Sequence, residues 1–77
     1  MNRDEILERL RAHMGEIRAL GVKRLALFGS VARGEAGPNS DLDVLVEFDG
    51  AATLDAFMDL RDLLEQLTGR HVDLVTD

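Results

Sequence analysis

The sequence predicts a small α+β domain, an α/β sandwich in which a mixed sheet packs against helices. Three observations lead to this prediction. A chain of 77 residues is long enough for one domain and no more, so we expect a single domain over residues 1–77. Hydrophobic residues make up 45% of the chain, which is typical of globular proteins and argues against disorder. The hydrophobic periodicity follows the order helix, strand, strand, helix, strand.

The first predicted element is an amphipathic helix over residues 3–20. The apolar residues of its single helical stripe, spaced three and four apart, are Ile6, Leu7, Leu10, Met14 and Ile17. Asn2 suits the N-cap of this helix, and Gly21 suits its C-terminal end. Residues 22–28 then predict a short strand, which ends at Gly29.

The second half of the chain predicts a loop, a strand, a helix and a final strand. Residues 34–40 consist mostly of turn formers and include the only proline. Residues 41–48 predict a strand whose apolar face consists of Leu42, Val44, Val46 and Phe48. Residues 53–68 predict an amphipathic helix that ends at Gly69. Residues 72–75 predict the third strand.

The composition excludes several classes of function. Fifteen acidic residues against nine basic ones give a formal net charge of −6, the wrong sign for direct nucleic-acid binding. No apolar run approaches the roughly 20 residues of a membrane span, and the first ten residues are too charged for a secretory signal. The chain contains no cysteine, which excludes disulfides and thiolate zinc sites and fits a cytoplasmic protein. Because a chain this short buries only about 60% of its unfolded surface, we expect a stabilising partner.

Asp41 and Asp43 are the most informative pair of residues. Two positions apart on a strand, their side chains point the same way, with Cβ atoms roughly 6–7 Å apart. Two such carboxylates repel each other unless a cation neutralises them, and oxygen ligands suit Mg²⁺ or Mn²⁺. An edge strand with outward acids and inward aliphatic residues has the same pattern, and for an isolated pair it is the commoner explanation.

Gly29, Ser30 and Arg33 predict a phosphate-binding turn after the first strand. Gly29 would allow the backbone to approach a ligand closely, and Ser30 can cap the short helical turn that follows. Arg33 can bind the same phosphate through two hydrogen bonds. A simple strand-to-helix turn also favours Gly-Ser. However, a nucleotide–metal complex needs both a phosphate-binding turn and acidic metal ligands, and in this sequence the turn lies shortly before the acidic pair.

Asp73 is the only acidic residue in an otherwise apolar third strand. A charge in such a strand is unfavourable unless it is paired or coordinates a metal. If the third strand lies beside the second, Asp73 can complete a cluster of three carboxylates. A half-exposed strand end near the terminus explains the residue equally well. Neighbouring His71 could contact a nucleotide, but a partly exposed strand histidine is the simpler interpretation.

The run GSVARGEAGPNSDLDVLV, residues 29–46, resembles the signature of the nucleotidyltransferase superfamily that includes DNA polymerase β. Within it, the chain is most similar to the minimal nucleotidyltransferases, the antitoxin partners of HEPN-domain toxins. The resemblance implies the minimal nucleotidyltransferase fold and Mg²⁺-dependent transfer of AMP from ATP to a hydroxyl, a tyrosine of the HEPN toxin. The nucleotide-binding residues it implies are Gly29, Ser30 and Arg33. The catalytic and metal-binding residues it implies, for two Mg²⁺ ions, are Asp41, Asp43 and Asp73.

Two classes of function remain open from the sequence. One is the enzyme, and the other is a non-catalytic acidic module that neutralises a partner ribonuclease by occluding it. The carboxylates and the Gly-Ser pair favour the enzyme, because a pure binder would not need them. The chain contains no tyrosine, so we expect the acceptor on another molecule and a hetero-oligomer. Family members usually continue past the third strand, so we expect a missing C-terminal helix or an unusually short form.

Overall fold

The computed structural model describes residues 2–34, 37 and 40–76. Its helices and strands, numbered in chain order, are α1 Arg3–Ala12, α2 Met14–Ala19, β1 Val22–Phe28, α3 Gly29–Ala32, β2 Leu42–Phe48, α4 Leu54–Thr68 and β3 Val72–Thr76. The predicted α+β class is confirmed. Of the predicted loop, only Gly34, Gly37 and Ser40 lie among the described residues. No helix in the described part of the chain is long and apolar enough to cross a membrane.

The predicted first helix is wrong in one respect, because it is two helices. The chain turns at His13, whose N–H donates to the Leu10 carbonyl at 3.1 Å. This bond reaches back three residues rather than four, so it closes a narrower turn than that of an α-helix. Gly15, a weak helix former, follows two residues later. The apolar stripe nevertheless spans the break, since Ile6 in α1 and Ile17 in α2 are both fully buried.

The sheet is mixed, with the strand order β1-β2-β3. β1 and β2 are antiparallel, whereas β2 and β3 are parallel and are connected through α4. The register pairs Phe28 with Asp43 and Asp43 with Asp73. These three residues therefore form one row across the sheet, and their side chains point to the same face.

The helices pack against one face of the sheet, and the core lies between these two layers. The largest fully buried side chains in it are Ile6, Ile17, Leu42, Val44, Val46, Leu60, Leu64 and Val72. The predicted apolar face of β2 is thus the core face, although Phe48 at its end is only partly buried. The opposite face carries Asp43 and Asp73, together with the exposed apolar residues Leu45 and Val75.

We expect Asn2→Ala to lower the free energy of unfolding by about 1 kcal/mol. Asn2 forms a capping box with Glu5: its Oδ1 accepts from the Glu5 N–H at 2.9 Å, and its own N–H donates to Glu5 Oε1 at 3.1 Å. Chemical denaturation measures the change. Arg11→Ala, an exposed position of the same helix, is the control and should change stability by less than about 0.5 kcal/mol. Equal losses in both variants would contradict the role of the cap.

Candidate active site

The turn after β1 brings Gly29 against the carboxylate of Asp43. Gly29 has a φ of +71°, in the left-handed region that favours glycine. A Cβ built on it would overlap Asp43 Oδ2 and would lie only 3.0 Å from Asp43 Cγ. Both the backbone conformation and the close approach therefore require glycine. The structure thus joins the predicted phosphate-binding turn and the acidic strand, which are separated by fourteen positions in the chain.

Ser30 does not cap the short helix, contrary to the sequence-based expectation. The N-cap of α3 is Phe28, with no side-chain capping bond, and Ser30 is the second residue of the helix. The helix begins earlier than expected: Gly29, directly after β1, is its first residue, so Ser30 lies inside it. Ser30 is half-buried, and Arg33 follows α3 as an exposed residue whose N–H donates to the Gly29 carbonyl at 3.2 Å. Both residues lie on the turn that contacts Asp43.

The three predicted carboxylates lie at the same end of the sheet. β3 lies beside β2, as the cluster requires, and its register places Asp73 directly opposite Asp43. Neighbouring strands are about 4.8 Å apart, so these two carboxylates face the same space above the sheet. Asp41 lies just before β2 and is exposed, with its Oδ1 3.6 Å from His71 Nδ1. The histidine thus contacts one of the three acids.

The described residues contain no group of three or more histidine or acidic side chains arranged to hold a metal ion by themselves. The structure therefore contains adjacent carboxylates rather than a complete protein cage for a cation. This donor set fits Mg²⁺, which usually takes one or two carboxylates and completes its shell with waters and substrate phosphates. Asp41 and Asp73 are exposed and Asp43 is half-buried, so their oxygen donors suit an ion that binds together with a nucleotide.

Glu47 lies on the same sheet face, but its carboxylate pairs with basic residues outside the site. Its Oε1 accepts from Arg24 Nη2 at 3.0 Å, and its Oε2 is 3.4 Å from Lys23 Nζ. Glu47 is four residues along β2 from Asp43, which at about 3.3 Å per residue separates them by about 13 Å. It therefore belongs to a surface ion-pair group and supplies a matched control for the site acids.

Arg70, which the sequence analysis did not identify, is a buried cation next to the site. The residue is 8% exposed, and Nη1 donates to the carbonyls of Gly37 and Ser40, each at 3.0 Å. Ser40 immediately precedes Asp41, and Gly37 lies four positions before it. The sequence contains little signal for this role, because an arginine beside a glycine at the end of a helix is ordinarily explained by C-terminal capping.

A mixed sheet with adjacent carboxylates and a glycine turn at one end is the arrangement expected of an enzyme that acts on nucleoside triphosphates. The nucleotidyltransferase domain model matches residues 4–77. The chain therefore belongs to the nucleotidyltransferase domain family, and it is an enzyme of this class.

Several known proteins are similar to this chain over nearly its whole length. The protein adenylyltransferase MntA of Thermococcus cleftensis is 45% identical over 73 residues, which cover 94% of this chain and 74% of the relative. A structure of a minimal nucleotidyltransferase superposes with a TM-score of 0.83 at 41% identity, covering 99% of this chain and 78% of the other. A crystal structure of a toxin–antitoxin with AMP-PNP superposes with a TM-score of 0.66 at 28% identity, covering 99% of this chain and 57% of the other.

Proposed function

We propose that this nucleotidyltransferase transfers AMP from ATP to a tyrosine hydroxyl of a HEPN-type toxin, with Mg²⁺, and so acts as its antitoxin. The observation that carries the proposal is the contact between the Gly29 turn and Asp43, with Asp73 beside it. The turn offers backbone to phosphates at the point where the carboxylates can hold their counter-ion. The relative named as a protein adenylyltransferase supports a protein acceptor, and the toxin–antitoxin neighbour with AMP-PNP supports a toxin partner.

The residues of the site have separate roles in this reaction. Gly29, Ser30 and Arg33 bind and orient the phosphates of ATP, while Asp41, Asp43 and Asp73 hold the metal. Mg²⁺, when bound, neutralises the charge of the triphosphate and so lowers its repulsion of an incoming nucleophile. Most of the rate enhancement then comes from positioning and electrostatic stabilisation.

Asp73 faces the acceptor in the proposed reaction. It is exposed and directly opposite Asp43, so a hydroxyl brought to the α-phosphorus from outside can meet it. The acceptor oxygen loses its proton to the Asp73 carboxylate and forms a bond to the α-phosphorus. The bond from this phosphorus to the oxygen that bridges it to the β-phosphorus breaks, and pyrophosphate leaves with the bonding electrons.

A partner must present the acceptor hydroxyl. The chain has no tyrosine, and the sheet face that carries the acids also exposes Leu45 and Val75 in the adjacent row. The described helices pack on the other face. The acid-bearing face is therefore accessible to another molecule, as the toxin–antitoxin neighbour suggests.

The acidic net charge favours a second candidate function, occlusion of a basic ribonuclease without catalysis. Binding through surface charge would not require the carboxylates of the site. The two functions therefore differ in what happens when a single site acid is neutralised.

Transfer of label from α-³²P-ATP into protein tests the proposal. We would combine the chain with the product of its neighbouring gene, in Mg²⁺ with and without EDTA, using Asp43→Asn and the matched acid Glu47→Gln. Label on the partner that requires Mg²⁺ and Asp43, but not Glu47, is the expected result. A stable complex that neutralises the toxin without label, and equally well with Asp43→Asn, would favour occlusion instead.

A further inference from the structure

Arg70 connects two parts of the chain that are remote in sequence. It lies between α4 and β3, whereas its acceptors, the carbonyls of Gly37 and Ser40, are 33 and 30 residues away. A buried cation is costly unless its hydrogen-bonding groups are satisfied, so these bonds are required by the burial of the guanidinium. Arg70 therefore holds Gly37 and Ser40 next to the start of β3.

The peptide groups on both sides of Asp41 are held by residues 70 and 71. The preceding carbonyl, that of Ser40, accepts from Arg70 Nη1, and the following N–H, that of Leu42, donates to the His71 carbonyl at 2.8 Å. Asp43, by contrast, lies within the sheet and is paired with a strand on each side. The position of Asp41 thus depends on Arg70 in a way that the position of Asp43 does not.

We propose that Arg70 is a positioning residue for Asp41, and that it fixes this acid for metal–nucleotide binding in the transfer reaction proposed above, on which the inference rests. Arg70 acts through the backbone that carries Asp41. The guanidinium suits this role because its plane fixes the direction of both N–H bonds of Nη1, whereas a lysine ammonium is a point charge with rotating donors on a flexible stem.

The test compares Arg70→Met and Arg70→Lys with the wild type and with Ile17→Val, a core substitution in α2 that lowers stability away from the site. Binding of Mn²⁺ in the presence of AMP-PNP is followed by electron paramagnetic resonance, and the unfolding midpoint of each variant is measured in parallel. Transfer kinetics then separate the KM for Mg²⁺ from kcat.

We expect Arg70→Met to weaken Mn²⁺ binding and raise the KM for Mg²⁺ by about 10–100-fold, as is usual when a residue that orients a metal ligand is lost. Arg70→Lys should recover part of the affinity, and Ile17→Val should keep all of it. Unchanged Mn²⁺ affinity in folded Arg70→Met, or an equal loss in Ile17→Val, would overturn the inference. If Arg70→Met does not fold, Arg70→Lys decides, and wild-type affinity in it would count against positioning.

The experiment distinguishes failure of the proposed function from failure of the inference about Arg70. Wild-type protein that binds Mn²⁺ and AMP-PNP but labels no partner would refute the transfer reaction, while the Mn²⁺ affinities of the variants would still decide the role of Arg70. Wild-type protein that binds no Mn²⁺ would overturn both.

Discussion

Asp43→Asn is expected to lower the rate of nucleotidyl transfer by several orders of magnitude while leaving the protein folded. Asp43 lies between the Gly29 turn and Asp73, at the centre of the site. An amide in its place supplies neither the charge nor the ligand strength that a metal-bound triphosphate requires. Single-turnover transfer of labelled AMP to the partner measures the loss.

The stability of Asp43→Asn should not fall together with its transfer rate. Two carboxylates in register on adjacent strands repel each other in metal-free protein, so removal of one charge should leave the unfolding midpoint unchanged or raise it. Glu47→Gln, which loses a half-buried acid of the same strand outside the site, should retain transfer. A near-normal rate in Asp43→Asn would contradict the assigned role, and so would loss of folding.

Gly29→Ala should have the second largest effect, because it disturbs the site in two ways. A left-handed backbone costs a residue with a Cβ about 1–2 kcal/mol, and Gly29 has a φ of +71°. The new Cβ would also overlap Asp43 Oδ2, so the carboxylate must move. A displacement of about 1 Å can cost about 100-fold in rate, and we expect a loss of at least that size. The transfer rate and the free energy of unfolding are the two measurements.

Gly50→Ala is the matched control for this prediction. Gly50 also has a positive φ, +89°, but a Cβ built there meets nothing within 4 Å. It follows β2 at the end of the strand remote from Asp43. Gly50→Ala should therefore lose stability and keep transfer, whereas Gly29→Ala loses both. Equal transfer rates in the two variants would show that the approach of Gly29 to Asp43 has no catalytic consequence.

The secondary structure was predictable where one local pattern decides it. The N-cap at Asn2, the alternation along β2 and the amphipathic helix α4 all appear in the structure near the expected positions, because each depends on residues within a few positions of one another. The break at His13 was missed because the apolar stripe continues through it. The cap of α3 was misplaced because the helix begins at Gly29, one residue before Ser30, so that Ser30 lies inside it.

The sequence by itself determined which residues can form the site: Asp41 and Asp43 are two positions apart at the start of a strand, although Asp41 lies just before it, and the Gly-Ser pair follows the preceding strand. Only the tertiary structure determined which distant residues those site residues contact. The parallel pairing of β3 brings Asp73 opposite Asp43, and the guanidinium of Arg70 bonds to carbonyls 30 and 33 residues away. Local periodicity carries no information about such contacts, because strand register and buried hydrogen bonds depend on how distant segments pack.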